Sequence, residues 1–267
     1  MHIERPRDLD EVLDGLGHHP SATLLAGGTD LMVGVNLAHR RPEAVVALRR
    51  VEQLGTWEAG FVGAGVTYAR MEAGPLPALA ELARTVGSPQ IRAVGTIGGN
   101  LGTASPAGDT LPFLAAADAE VVLASRRGVR RLRWDRFLLG PKQTALEPGE
   151  VIVGVQLPDG LPERQAFAKV GARQAMVIAI VNCCVMRDEE GATRVALGAV
   201  GPTVVRARAA EELASSERRP SGALLDEFQR LVSAEVAPIS DHRASERYRR
   251  HAAGVLARRT LERCLTP

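Results

Sequence analysis

The chain has 267 residues, of which 45% are apolar and 24% are charged. This balance is typical of a globular protein and excludes a disordered or fibrous chain, and the length allows one large domain or two smaller ones. The formal net charge of +2 is too balanced for a nucleic-acid-binding surface. Only two Trp, two Tyr and five Phe residues are present, so aromatic platforms for stacking bases are scarce.

The cysteines and the apolar segments indicate the compartment. Cys183 and Cys184 are neighbours and Cys264 is distant, so the chain has no disulfide framework. In a strand, the two neighbours would point to opposite faces of the sheet, both in the core. The longest apolar run, 176–186, is interrupted by Asn182 and is too short to span a bilayer, and the first residues lack the apolar core of a signal peptide. We expect a cytoplasmic protein.

The first third of the chain predicts mixed helices and strands. Apolar residues at helical spacing follow Asp8, a residue type that caps helices, and they predict an amphipathic helix that ends near Gly17. Short apolar stretches that start at Thr23, Ala44 and Phe61 predict strands. Helices are predicted from Asp30 and over 79–86.

The rest of the chain divides at a cluster of Pro158, Gly160 and Pro162, which breaks the pattern of elements. We place a domain boundary there, giving a first domain over 1–160 and a second over 161–267. The strand candidates on either side of it start at Glu120, Val129, Glu150, Gln165, Met176 and Ala192. The chain ends in an Arg-rich helix whose apolar stripe, with Tyr248 at its start, predicts a packing face.

Two segments concentrate glycine beside threonine: 23–32, TLLAGGTDLM, and 94–109, VGTIGGNLGTASPAGD. Because glycine has no Cβ, paired glycines allow a close approach of the backbone to a ligand and let N–H groups converge on an anion. Asp30 either caps the following helix or binds a ribose hydroxyl. Ordinary tight turns are the alternative for both segments. Neither G-x-G-x-x-G nor a P-loop sequence occurs, so the residues alone favour a phosphorylated cofactor bound by another fold.

These segments, together with RPRDLDEVLDGL at 5–16 and FAKVGAR at 167–173, resemble the FAD-binding medium subunit of the molybdenum hydroxylases. Xanthine dehydrogenase and carbon monoxide dehydrogenase belong to this family. The resemblance covers nearly the whole chain, and the pattern GTIGGN…ASP…D is specific. It implies an α+β fold with a two-lobed FAD-binding domain of the vanillyl-alcohol-oxidase type, divided near residue 55. A smaller C-terminal α+β domain, a short sheet with helices, would follow.

The resemblance also implies a set of cofactor-binding residues. Those expected at the FAD phosphates are Leu24, Leu25, Ala26, Gly27, Gly28, Thr29, Asp30 and Leu31, and Gly95, Thr96, Ile97, Gly98, Gly99 and Asn100. Among them, we expect the backbone N–H groups of both glycine pairs to bind the pyrophosphate. Thr103 and Asp109 would lie along the same cofactor, with Asp109 at a sugar hydroxyl. Ile152 and Lys169 match positions that contact the flavin; the alternative for Lys169 is a surface charge.

The partners follow from the same resemblance. A molybdopterin large subunit would oxidise the substrate, and an iron–sulfur small subunit would relay electrons through two 2Fe–2S clusters, in a dimer of heterotrimers. This chain would pass the electrons to NAD or another acceptor. The stretches 137–150 and 169–182 resemble purine-oxidising members, which favours xanthine or hypoxanthine as the substrate of the complex. A self-contained flavin oxidase and a non-catalytic nucleotide-binding or scaffold protein are the alternatives.

No metal site or catalytic residue is predicted in this chain. Three cysteines cannot ligate an iron–sulfur cluster, and the six histidines are scattered along the sequence without ligand spacing. We therefore expect the histidines to be surface residues. A G-x-S-x-G nucleophile motif is absent from the sequence, which argues against a hydrolase.

Overall fold

The computed structural model describes residues 2–58 and 60–265, which form an α+β structure with four sheets. The strands of this part of the chain are β1 (His2–Glu4), β2 (Thr23–Leu25), β3 (Ala44–Ala47), β4 (Trp57–Glu58), β5 (Phe61–Gly63), β6 (Glu120–Ser125), β7 (Gly128–Arg133), β8 (Leu138–Gly140), β9 (Gln143–Thr144), β10 (Val151–Gln156), β11 (Arg164–Val170), β12 (Val181–Arg187), β13 (Thr193–Gly198) and β14 (Val205–Arg206). The α-helices are α1 (Leu9–His18), α2 (Leu31–Asn36), α3 (Tyr68–Glu72), α4 (Pro77–Thr85), α5 (Pro89–Val94), α6 (Ile97–Thr103), α7 (Thr110–Ala116), α8 (Trp134–Phe137), α9 (Arg208–Ser215), α10 (Gly222–Glu235) and α11 (Glu246–Leu265).

The first lobe is a three-stranded parallel sheet in the order β1-β3-β2, with α1 packed against it. The Asp8 carboxylate accepts a hydrogen bond from the Glu11 N–H at 2.8 Å and caps α1, as the sequence predicts. The buried face of α1 includes Val12 and Leu16, which join the main core. Since all three strands run in parallel, the loop that leaves β2 and the segment that leaves β3 emerge at the same edge of the sheet.

The second lobe is a five-stranded antiparallel sheet in the order β4-β5-β10-β6-β7. Four short helices, α3 to α6, connect β5 to α7, and α7 leads into β6. Of α3 to α7, the sequence predicts only α4. The four others have only five to seven residues each, too few to show helical periodicity or to be stable without tertiary packing.

The C-terminal part is a four-stranded antiparallel sheet in the order β11-β12-β13-β14, covered by α9, α10 and α11. Strand β12 is buried along its whole length. Cys184 and Met186 belong to the core of the first domain, whereas Cys183 and Val185 pack in the core beneath the C-terminal helices. The prediction that the adjacent cysteines point to opposite faces of a buried strand is confirmed.

Two sequence predictions are wrong in the C-terminal part: the start of a strand and one residue of a packing face. The strand expected from Met176 begins only at Val181, because 171–180 form a loop in which Met176 has a φ of +49° and Ile178 is exposed. Tyr248 does not belong to the packing face of α11, since it is 48% exposed; that face is built from small residues such as Ala253. None of the helices in the described ranges combines the length and apolar composition needed to cross a bilayer.

Candidate functional site

The first glycine segment forms an open loop between β2 and α2. Gly28 has a φ of +73°, a backbone conformation that glycine adopts without strain. Within residues 2–58 and 60–265, the N–H groups of Gly27, Gly28 and Thr29 have no hydrogen-bond acceptor, and these three residues are half-buried. The loop therefore presents a run of unpaired donors, as an anion-binding nest requires.

Gly27 brings the two glycine segments together. A Cβ atom at this position would lie 1.9 Å from the Val94 carbonyl oxygen and 3.0 Å from the Gly95 Cα. Because the obstructing atoms belong to the backbone, only glycine fits here without moving one of the two segments. The close contact agrees with the expectation that both segments line one site.

The second glycine pair does not form a loop but lies in the first turn of α6. The Thr96 hydroxyl caps this helix and accepts a hydrogen bond from the Gly99 N–H at 3.0 Å. The Gly98 N–H donates to the Ala64 carbonyl at 2.9 Å. Both N–H groups therefore have acceptors inside the protein, and the expectation that they bind a pyrophosphate stays a prediction.

Close packing is the reason for glycine at position 98. A Cβ atom on Gly98 would lie 2.5 Å from the Ala64 Cβ and 2.8 Å from the Ala64 carbonyl oxygen. The Ile97 side chain is fully buried in the main core, so it has no exposed surface to offer a cofactor. By contrast, a Cβ on Gly99 would contact only the Thr96 hydroxyl, at 3.2 Å, among the described neighbours outside its own helix backbone.

The remaining predicted residues lie on β10, on α6 and on either side of the 27–29 loop. Ile152, on β10, approaches α6: its Cδ1 atom lies 3.8 Å from where a Cβ on Gly102 would be. Asn100 accepts a hydrogen bond from the Thr110 hydroxyl, and Thr103 is half-buried nearby on the same helix. Leu24, Leu25 and Ala26 are half-buried where β2 ends, and Leu31 is buried at the start of α2.

Asp30 occupies the N-cap position of α2, but its side chain makes no capping hydrogen bond with the described residues. The carboxylate is exposed. Of the two roles considered for Asp30, the structure does not support capping, which leaves a sugar hydroxyl as the remaining hypothesis.

Lys169 and Asp109 form a buried ion pair. The Lys169 Nζ donates to the Asp109 carboxylate at 2.6 Å and to the Thr85 carbonyl at 3.0 Å. The Lys169 side chain is 5% exposed, so the alternative of a surface charge is wrong. The structure thus joins two residues that are far apart in the sequence and that the resemblance assigns to the same cofactor.

Asn182 completes this pair and was missed as a functional candidate. It lies opposite Lys169 in the register of β11 and β12, and its Nδ2 donates to the second oxygen of the Asp109 carboxylate at 2.7 Å. Its Oδ1 is buried and has no hydrogen-bond partner in the described part of the chain. The signal was visible in the sequence, since Asn182 is the polar residue that interrupts the long apolar run.

The electrostatics of the pair depend on burial. Burial raises the pKa of Asp109 above its ordinary value, and the Lys169 ammonium and the Asn182 amide oppose this rise. Tyr68, a second residue that the sequence did not single out, is buried close to Asp109; burial and the negative charge of Asp109 both raise the pKa of its phenol. The phenol therefore stays neutral and cannot act as a base.

The arrangement fits a dinucleotide cofactor. The free N–H groups of the 27–29 loop suit a pyrophosphate, the free Asp30 carboxylate suits a sugar hydroxyl, and a buried cation lies at the boundary with the C-terminal sheet. A two-domain α+β fold with these groups is of the class expected for a dinucleotide-binding protein.

Comparison with protein families identifies the chain more closely. Residues 1–160 match the family of the FAD binding domain in molybdopterin dehydrogenase, and residues 166–264 match the CO dehydrogenase flavoprotein C-terminal domain. The chain belongs to this family of molybdopterin dehydrogenase FAD-binding subunits, and FAD is its cofactor.

Individual relatives match over almost the whole length. The chain is 30% identical over 274 residues to a putative xanthine dehydrogenase FAD-binding subunit of Escherichia coli (strain K12), covering 96% of this chain and 93% of the relative. It is 31% identical over 274 residues to the carbon monoxide dehydrogenase medium chain of Hydrogenophaga pseudoflava, covering 96% and 94%. Among solved structures, quinoline 2-oxidoreductase from Pseudomonas putida 86 matches with a TM-score of 0.91 at 28% identity, covering 99% of this chain and 96% of that one.

Proposed function

We propose that this chain is the electron-transfer subunit of a molybdenum hydroxylase complex, which takes electrons from 2Fe–2S clusters on a partner and delivers them to NAD or another acceptor. The observation that carries this proposal is the 27–29 loop, whose N–H groups have no acceptor among the described residues and which contacts the second glycine segment at Val94 and Gly95. Family membership supports the oxidoreductase role, and the geometry supports where this chain would hold its cofactor.

The loop and the buried pair would bind different parts of the cofactor. The N–H groups of Gly27, Gly28 and Thr29 would hold the pyrophosphate, and the Asp30 carboxylate would accept a hydrogen bond from a sugar hydroxyl. When bound, FAD supplies both one-electron and two-electron redox chemistry, which lets such a subunit connect clusters to a hydride acceptor.

Lys169 would act at the flavin end of the site. An ammonium group has three donors, and Asp109 and Thr85 use two of them, which leaves the third for the flavin. Because Asp109 balances its charge, the pair places a hydrogen-bond donor with little net charge beside the cofactor. A nearby cation stabilises the anionic reduced flavin and so raises its reduction potential, and the paired Lys169 should raise it less than an isolated buried cation would.

The partner subunits follow from the cysteine content. All three cysteines are buried and none is paired with another. Burial raises the pKa of Cys264 to about 11, which disfavours the thiolate that a cluster requires. Electrons from a molybdenum centre must then arrive through clusters on another chain, so we propose an iron–sulfur small subunit and a molybdopterin large subunit, in a dimer of heterotrimers.

The proposal extends to the substrate of the complex and to its cellular compartment. The relatives are named for xanthine, carbon monoxide and quinoline at 28 to 31% identity, so overall similarity does not select one substrate. The resemblance of 137–150 and 169–182 to purine-oxidising members supports xanthine or hypoxanthine.

The free thiols support a reducing compartment such as the cytoplasm. The first family match ends at residue 160 and the second begins at residue 166, which supports a domain boundary near 160.

Purification of the chain with and without its partners tests the proposal. Alone, it should carry about one FAD per chain and neither iron nor molybdenum, and xanthine should not reduce its flavin. Reduction of the bound flavin by NADH would support NAD as the physiological acceptor. Substrate-dependent reduction should require both co-expressed partners; turnover by the isolated chain would instead favour a self-contained oxidase, and a flavin-free chain would favour a scaffold.

A further inference from the structure

Two imidazoles and one carboxylate meet beside β1, the edge strand of the first sheet. His2 and Glu4 lie on the same face of β1 because side chains alternate along a strand. His19, the C-cap residue of α1, lies over that face. One ligand atom from each residue lies within 4.8 Å of the other two. Residue spacing does not reveal this cluster, because α1 separates His19 from the other two residues.

The distances in this cluster suit metal ligands better than hydrogen bonds. The Nε2 atoms of His2 and His19 lie 3.5 Å and 3.7 Å from the same Glu4 oxygen, Oε1, longer than the roughly 2.7–3.2 Å of an N–H···O hydrogen bond. In a tetrahedral zinc site with bonds of about 2.0–2.1 Å, neighbouring ligand atoms are about 3.3–3.4 Å apart. Movements of a few tenths of an ångström would bring both nitrogens to that separation from Oε1.

The protein holds the Glu4 carboxylate in place. A Cβ atom on Gly15 would lie 2.0 Å from the Glu4 Oε2, so the absence of a side chain on this face of α1 makes room for the carboxylate. The Glu4 side chain is only 23% exposed. The backbone at both histidines is also fixed: the His2 N–H donates to the Glu43 carbonyl at 2.8 Å, and the His19 N–H donates to the Gly15 carbonyl at 2.9 Å.

We propose that His2, Glu4 and His19 bind a divalent ion of the zinc class, with water completing the coordination. Two neutral imidazoles and one carboxylate form a donor set that zinc prefers and that magnesium does not. The ion would join β1, an edge strand, to the end of α1, and so stabilise the first lobe. This site is separate from the cofactor site and does not depend on the proposed function.

Calorimetric titration of the tag-free, FAD-loaded chain with zinc chloride tests the proposal. We expect one zinc ion per chain, a rise in the melting temperature with zinc, and no binding of magnesium. Replacing a direct ligand, in His19→Ala or Glu4→Gln, should weaken zinc binding by more than about tenfold, since even partners of ligands cost that much. His18→Ala is the matched control, because His18 is an exposed neighbour outside the cluster, and it should bind zinc like the unmodified chain.

Gly15→Ala separates a built site from adventitious binding by surface histidines. This variant keeps all three ligands and favours the helix, but its new Cβ displaces the Glu4 carboxylate. Zinc affinity should fall as it does in Glu4→Gln, while the FAD content stays unchanged. The absence of zinc binding by the unmodified chain, or zinc affinities of Gly15→Ala and His19→Ala equal to that of the unmodified chain, would overturn the proposal.

Discussion

Gly27 and Gly28 lie in an open loop whose N–H groups find no acceptor in the described part of the chain, whereas Gly98 and Gly99 lie at the start of a helix and their N–H groups donate to Ala64 and Thr96. In the sequence the two pairs look alike, each following an apolar stretch and flanked by threonine. The comparison separates two reasons for glycine. In the loop, glycine leaves donors free for a ligand; in α6, Gly98 allows the helix to pack directly on a neighbouring backbone.

The two segments are also held in place by different contacts. Segment 94–109 is fixed from several sides: its helix is capped by Thr96, it is docked on Ala64, and it is tied through Asp109 to Lys169 and Asn182. The 26–30 loop is restrained by the contact of Gly27 with that segment, and bound cofactor is the second restraint that we propose. We therefore expect substitutions in the second segment to act through stability, and substitutions in the loop to act through flavin binding.

Lys169→Met should have the largest effect, because it leaves the buried Asp109 carboxylate without its cation. Breaking a buried pair in this way costs about 3–5 kcal/mol, which urea unfolding of the purified chain would measure. The double variant Lys169→Met with Asp109→Asn removes both charges and should recover part of that stability. A loss below about 1 kcal/mol in the single variant would place the pair in the class of weak surface bridges.

Gly27→Ala should release the flavin in addition to lowering stability. Its Cβ would collide with the Val94 carbonyl, and overpacking of this kind costs about 1–3 kcal/mol. We expect the purified variant to be folded but to have lost most of its FAD, as measured by the flavin-to-protein absorbance ratio. Gly17→Ala is the control, since a Cβ there meets none of the described atoms within 4 Å. Full flavin occupancy in Gly27→Ala would remove the loop from the binding site.

Gly98→Ala and Gly99→Ala form a matched pair with the smallest expected effects. Gly98→Ala overpacks against Ala64 and should lower the free energy of unfolding by about 1–3 kcal/mol. Gly99→Ala has room and improves helix propensity by up to about 1 kcal/mol, so it should be neutral or stabilising. Measuring the flavin content and the thermal unfolding of both variants tests whether α6 contacts the cofactor. A loss of FAD in Gly99→Ala at unchanged stability would show that it does.

Sequence patterns predicted those features that depend on local chemistry. The Asp8 cap and the spacing of Val12 and Leu16 gave α1, and alternation gave the opposite orientations of Cys183 and Cys184. The family resemblance placed Lys169 and Asp109 at one cofactor, and the structure shows them bonded. The helix cap and the orientation of the cysteines follow from residue type and short-range spacing, which a single sequence displays, whereas the placement of Lys169 and Asp109 follows from the family resemblance alone.

Features that arise only when distant segments meet could not be predicted in the same way. The helical state of Gly98 and Gly99 depends on the Ala64 backbone, since glycine disfavours helices on propensity alone. The contact of Asn182 with Asp109 requires the pairing of β11 with β12 and the packing of both on the first domain. Propensity and periodicity describe a single segment, so they cannot predict its contacts with segments that are distant in the sequence.

Strand β12 has a consequence for the modularity of the molecule. Its two faces complete two different hydrophobic cores, so neither half of the chain is closed without the other. A fragment ending near 160 would leave part of its core in water, and a fragment beginning there would expose the face that carries Cys184 and Met186. The two family segments are thus expected to unfold in a single cooperative transition, and a domain exchanged between relatives would succeed only if β12 and its partners on both sides were exchanged together.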